Sequence, residues 1–276
     1  MRLGLAGVLA PVLLVPFALI AVFVAGGWAP LRNLDASVAA TLHSFSAAHP
    51  LWVDVMVVWS WVFAPMSLRV AALIVVIWLA WRHHAPRLAV WVVVTMAVGG
   101  IIAALLKFLV GRDRPDLLDP VARAAGYSFP SGHAANAALT AGVFLLVFLP
   151  FVRDRPGRRA ALWAAVIVIP LLTGVFRIGL GVHWASDVFC GWLLGVATVA
   201  ATTVAFQRWR IGEGRAPAPA TVEGVEPEIA HADVSADGDA RPRPAREGVR
   251  NGGPTDESRR SRPARHRDRT GTRQPE

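Results

Sequence analysis

Lysine, cysteine and tyrosine each occur once in 276 residues, as Lys107, Cys190 and Tyr127. A single cysteine excludes an intramolecular disulfide and leaves too few thiolates for a cysteine-based metal site. It lies in an apolar stretch and reads as a small buried hydrophobe rather than a nucleophile. Polar character is scarce as well. The chain is 54% hydrophobic with a mean hydropathy of +0.47, which excludes an ordinary soluble domain and leaves room for several membrane spans. No internal repeat of fixed short period is present. What is plentiful is arginine, and the net charge is +9. Residues 211–276 hold twelve arginines against twelve acidic residues, so the whole excess lies in residues 1–210, mostly at span ends. That is the pattern of topology-setting charges and not of a nucleic-acid partner. Eleven Trp and twelve Phe suit helices whose ends sit at a lipid interface.

The hydropathy pattern predicts an all-α chain: six transmembrane helices, one additional interfacial helix, and a C-terminal tail without a fold. The apolar run from Leu5 to Val24 has the length of an uncleaved span rather than the shorter core of a signal peptide. Residues 28–50 carry Pro, Arg, Asn, Asp and His and read as an exposed connection. Residues 51–81 are apolar but broken by Asp54, Pro65 and Arg69, which divides them at Pro65 into the interfacial helix and a second span. Four further spans are read at 88–109, 133–152, 160–178 and 184–207. Alternation places Arg2, Arg82, Arg87, Arg153, Arg155, Arg158, Arg159, Arg208 and Arg210 on one side, the cytoplasmic one by the positive-inside rule, with both termini. Arg32, Lys107, Arg112, Arg114, Arg123 and Arg177 fall on the other. A membrane domain of residues 1–210 is thus followed by a cytoplasmic tail of 211–276, rich in Ala, Pro, Gly, Glu and Arg, that cannot bury a core.

Ionisable groups near membrane depth are costly, at roughly 2.5–3.5 kcal/mol each at a helix centre, so their clustering demands a reason. Three clusters meet on the outer side: Lys107 to Pro115, Ser128 to His133, and Arg177 to Asp187. Where every other cation is arginine, Lys107 offers a compact point charge with three donors. Arg114 precedes Pro115, which favours an extended backbone and holds it off the third span. Ser131 is a natural N-cap before Gly132, and a helix start there supplies free N–H groups and a positive dipole end for phosphate, with His133 close by. His183 and Asp187 are four apart on one helix face, so the carboxylate orients the imidazole as a nucleophile. A metal site built on the two histidines would have few carboxylates and three repelling cations.

Together the clusters resemble the type 2 phosphatidic acid phosphatase family, the lipid phosphate phosphatase and haloperoxidase superfamily. Lys107, six residues, Arg114-Pro115 is similar to its first motif. Pro130-Ser131-Gly132-His133 is similar to its second, and Arg177, five residues, His183, three residues, Asp187 to its third. The resemblance covers residues 50–207. Phe176 stands where the family usually has a serine before the third-motif arginine. The resemblance implies attack by His183 on phosphorus to give a phosphohistidine, protonation of the leaving oxygen by His133, and release by water. It implies phosphate binding by Lys107, Arg114, Ser131, Gly132 and Arg177, orientation of His183 by Asp187, and no metal or other cofactor. The substrate so implied is a lipid phosphate or diphosphate: phosphatidic acid, phosphatidylglycerol phosphate, or polyprenyl diphosphate, which an outer-face site suits best. Two other readings stand beside it, a vanadium-dependent haloperoxidase and a non-enzymatic transporter or scaffold that binds an anionic lipid.

Overall fold

In the computed structural model, which describes residues 3–116, 124–214 and 224–225, every regular element among the described residues is an α-helix. In chain order they are α1 (Leu3–Ala25), α2 (Ala29–Ala48), α3 (Pro50–Val62), α4 (Pro65–Arg82), α5 (Pro86–Val110), α6 (Gly132–Val152), α7 (Pro156–Gly179) and α8 (Ala185–Gly212). Proline stands in the first turn of α2, α3, α4, α5 and α7. Its ring presets the helical φ where its missing N–H costs no hydrogen bond. Gly111 ends α5 in the left-handed conformation, φ 62°, its N–H bonded to the Lys107 carbonyl.

Six helices are long and apolar enough to cross a membrane: α1 from Ala6, α4, α5, α6, α7 and α8. The protein is therefore an all-helical integral membrane protein. The break expected at Pro65 is present, with Phe63 and Ala64 between α3 and α4. Residues 28–50 differ from expectation, for α2 replaces the exposed connection. Its packed stripe is Leu31, Asp35, Val38, Ala39, Leu42 and Ser46, at helical spacing. Because Asp35 and Ser46 are among its buried members, hydropathy alone made the segment look solvated. After Ile211 only 211–214 and 224–225 are described. Val225 is buried, and its carbonyl accepts hydrogen bonds from Gln207 Nε2 at 2.8 Å and Arg210 Nη1 at 2.9 Å. The rest of the expected tail lies outside the described residues.

Helices α6 and α8 pack closely along small residues, the arrangement that lets helices approach in lipid. A Cβ added at Gly191 would stand 2.8 Å from the Ser131 carbonyl oxygen, and one at Gly195 2.7 Å from that of Ala135. This contact fixes the start of α6 against the first turns of α8. A further tie is the Ser131 N–H, which donates to the Asp187 carbonyl at 2.9 Å.

Candidate active site

Each chemical residue is carried by a helix end or the segment beside it. Lys107 lies in the last turn of α5, and its Nζ donates to the Tyr127 carbonyl at 2.9 Å. Beyond Gly111 the chain runs extended and is sewn to the segment before α6. There Ser128 donates from its N–H to the Arg112 carbonyl and from its hydroxyl to the carbonyls of Arg112 and Asp113. Arg114 acts as a staple between loops. Its Nε donates to the Gly126 carbonyl at 2.8 Å, Nη2 to those of Ala125 and Tyr127, and Nη1 to that of Val182 at 2.6 Å. The same Nη1 is 3.3 Å from His183 Nε2.

Ser131 is the N-cap of α6 and fully buried, its hydroxyl accepting a long 3.5 Å bond from the Ala134 N–H. A side chain on Gly132 would reach within 3.8 Å of Lys107 Cε, so the bare backbone brings the helix start to the lysine. His133 follows in the first turn of α6, within backbone hydrogen-bonding reach of Ser60 on α3 and in the field of Arg177, Arg114 and His183. Arg177 occupies the last turn of α7, its Nε buried and without a hydrogen-bond partner.

His183 stands in the tight turn between α7 and α8 and is 2% exposed. Its Nδ1 is 3.5 Å from Asp187 Oδ2 but makes no bond of good geometry, while Nε2 faces the cations. Such loose contacts are usual before a substrate tightens a site. Burial, reinforced by Arg177 and Arg114 and opposed by Asp187, lowers the His183 pKa from 6.5 to about 4. The ring is therefore neutral at pH 7, as a nucleophile requires. Burial also lowers the Arg114 pKa, against the pull of Asp187.

The eight residues singled out from sequence thus gather at one end of the bundle. Two others were not assigned a part. Asp187 Oδ1 accepts from Arg112 Nη1 at 2.7 Å, and Arg112 Nη2 donates to Asp35 on α2 at 2.7 Å. Arg112 lay inside the first cluster, but Asp35 was hidden in the segment read as a connection. Among the described residues no group of three or more His, Cys, Asp or Glu has the arrangement to hold a metal ion.

A helical membrane bundle whose loops bring a histidine–aspartate pair among three cations and a helix N-terminus has the donors and charge to receive an anion. Residues 88–211, a little under half of the chain, match the PAP2 superfamily. Phosphatidylglycerophosphatase B of Bacillus subtilis is 36% identical over 35% of this chain and 47% of its own length. Undecaprenyl-diphosphatase of Sulfolobus acidocaldarius is 29% identical over 40% of this chain and 50% of its own. Decaprenylphosphoryl-5-phosphoribose phosphatase of Mycobacterium tuberculosis is 39% identical over 38% and 52%. The chain spans about half the length of these curated relatives. Among solved structures, a transmembrane PAP2 type phosphatidylglycerolphosphate phosphatase from Bacillus subtilis superposes with a TM-score of 0.63. That likeness covers 70% of this chain and 93% of the other at 23% identity, and it is one of fold.

Proposed function

We propose that this protein is a metal-independent phosphatase of lipid phosphates or diphosphates, with its active site on the outer membrane face and polyprenyl diphosphate as the favoured substrate. The observation that carries the reading is the position of His183: Nδ1 towards Asp187, and Nε2 3.3 Å from the Arg114 guanidinium. A phosphoryl group held by that guanidinium lies against the nucleophilic nitrogen. Lys107, Arg177 and the amides at the start of α6 complete the set of donors. They stabilise negative charge spread over the three equatorial oxygens of the transition state.

The reaction follows from these positions. Nε2 of His183 forms a bond to phosphorus as the bond to the leaving oxygen breaks, and His133 gives that oxygen its proton. Asp187 stabilises the positive charge that develops on the His183 ring. Water then attacks phosphorus and yields a proton to His133. The P–N bond breaks, phosphate leaves, and both histidines return to their starting state.

An apolar cavity of about 240 Å³ supports a lipid substrate. It opens between α3, α4, α6 and α7, and its α6 wall begins with Ala137, one turn after His133. The outer-face assignment rests on the arginine-rich connections at the opposite end of the spans. The test is phosphate release by purified protein from a panel of polyprenyl diphosphate, phosphatidic acid and phosphatidylglycerol phosphate. The expected result is chelator-resistant turnover, inhibition by vanadate, and an acid-labile phosphoenzyme that His183→Ala abolishes. Wild-type turnover in His183→Ala, or loss of activity with a chelator, would overturn the mechanism.

A further inference from the structure

We propose that Asp35 and Arg112 are positioning residues that act on the nucleophile through Asp187, so that α2 is part of the catalytic apparatus. The inference rests on the phosphohistidine reading above, and it begins with the start of α8. Ser186 is the second residue of that helix, and its N–H has no acceptor within the helix. Asp35 supplies one from another helix: its Oδ1 accepts from the Ser186 N–H at 2.9 Å and its Oδ2 from the Ser186 hydroxyl at 2.5 Å. Asp35 is thus an N-cap in trans, and Asp187 Oδ2 caps the same turn by accepting from the Trp184 N–H at 2.9 Å.

Arg112 joins the two carboxylates. One nitrogen, Nη2, donates to Asp35 Oδ2, and the other, Nη1, donates to Asp187 Oδ1 and the Ser186 hydroxyl, all at 2.7 Å. Its guanidinium also lies 5.3 Å from the centre of the Trp184 ring. Asp35 is 1% exposed and Asp187 0%. Two buried carboxylates sharing one guanidinium leave a net single negative charge, which acts on the His183 ring and on the Arg114 guanidinium beside it. Were Asp35 neutral, Arg112 would balance Asp187 entirely and weaken its hold on an imidazolium. Were Arg112 neutral, both carboxylates would pull on His183.

Opposite signs make this relay separable from simple scaffolding. Asp35→Asn keeps the side-chain shape and an oxygen for the Ser186 N–H, while Arg112→Gln removes the opposite charge. The full-length protein in detergent is assayed for kcat and KM on its lipid phosphate. It is also treated with diethylpyrocarbonate across pH, with mass spectrometry reading the modification of His183. A nitrogen that must meet phosphorus is open to a small electrophile, and its reaction follows the neutral fraction of the ring. Asp187 from α8, Arg114 from the segment after α5, Arg177 from α7 and His133 from α6 all influence this ring and are unaltered in both variants.

Asp35→Asn is expected to lower kcat about tenfold with little change in KM, the size of effect shown by outer partners of a ligating histidine. Its His183 modification midpoint moves to lower pH. In Arg112→Gln the midpoint moves to higher pH, and in the double variant it returns towards that of wild type. Midpoints unmoved in both single variants, whatever happens to thermal stability, would overturn the relay and leave a purely structural cluster. If Arg112→Gln does not fold, the direction of shift in Asp35→Asn decides alone. A wild-type protein that released no phosphate from any lipid would sink the phosphatase reading, while the modification midpoints would still decide the relay.

Discussion

Lys107 has a compact ammonium, and it sits between a shared carbonyl and the start of a helix. Its Nζ is held by the Tyr127 carbonyl, which also accepts from Arg114, and its Cε lies beside the bare backbone of Gly132. A guanidinium there would present a planar fork in place of a point charge and alter the donor geometry at the shared Tyr127 carbonyl. Lys107→Arg is therefore expected to lose activity by roughly tenfold to a thousandfold despite its conserved charge, comparable with removing one transition-state donor. Full activity in that variant would make the lone lysine incidental. His183 yields a second expectation. With its pKa lowered to about 4, the ring stays neutral well below the 6.5 of a free histidine. The acid limb of kcat/KM assigned to the nucleophile should then lie below pH 6.5, towards 4. The sign for stability follows. Between pH 6.5 and 4 the unfolded chain takes up a proton that the folded site refuses, so this group's contribution is full above 6.5 and is lost as pH falls. A limb traced to His183 above 6.5 would contradict the burial argument.

Helices deliver these residues by their ends, so the packing between helices sets the chemistry. At Gly191 an added methyl meets the Ser131 carbonyl at 2.8 Å and the Ala135 nitrogen at 3.0 Å, both backbone atoms that cannot rotate away. Gly191→Ala should push α8 from α6, cost about 1–3 kcal/mol as overpacking does, and drag Asp187 from Ser131. Gly157→Ala, with nothing within 4 Å of the new carbon, is the matched control and should be near neutral. Thermal melting in detergent beside phosphate release distinguishes them, and equal behaviour of the two variants would refute this packing account. The spans were legible in sequence because membrane depth forces long apolar runs with polar breaks, and the boundary at Pro65 was legible from ring chemistry. The three clusters were legible because each carries its charge in a short stretch. Helix α2 was not, since its buried stripe is partly polar and its partners Arg112 and Ser186 are 77 and 151 residues away from Asp35. Asp35 becomes interpretable only when α2, the segment after α5 and α8 are brought together.

For the whole molecule, the outer-face proposal is a statement about which way the bundle faces, and it rests on charge. Connections at one end carry Arg82, Arg87, Arg153, Arg155, Arg158 and Arg159, whereas the other end carries the cations that gather around His183. With those cations assigned to the active site they are set aside when orientation is reckoned, and the remaining arginine bias is the argument for the proposed outer-facing site. Cysteines placed singly at Ala124, beside the site, and at the exposed Arg158, in the connection before α7, make the test. Both are introduced into a Cys190→Ala background, so that the one native thiol is absent. A membrane-impermeant thiol reagent applied to intact cells should label position 124 and leave 158 unreacted until the membrane is opened. Labelling of 158 alone would turn the site towards the cytoplasm. It would exclude substrates presented at the outer leaflet, and with them the preference for polyprenyl diphosphate, without altering the chemistry assigned to His183.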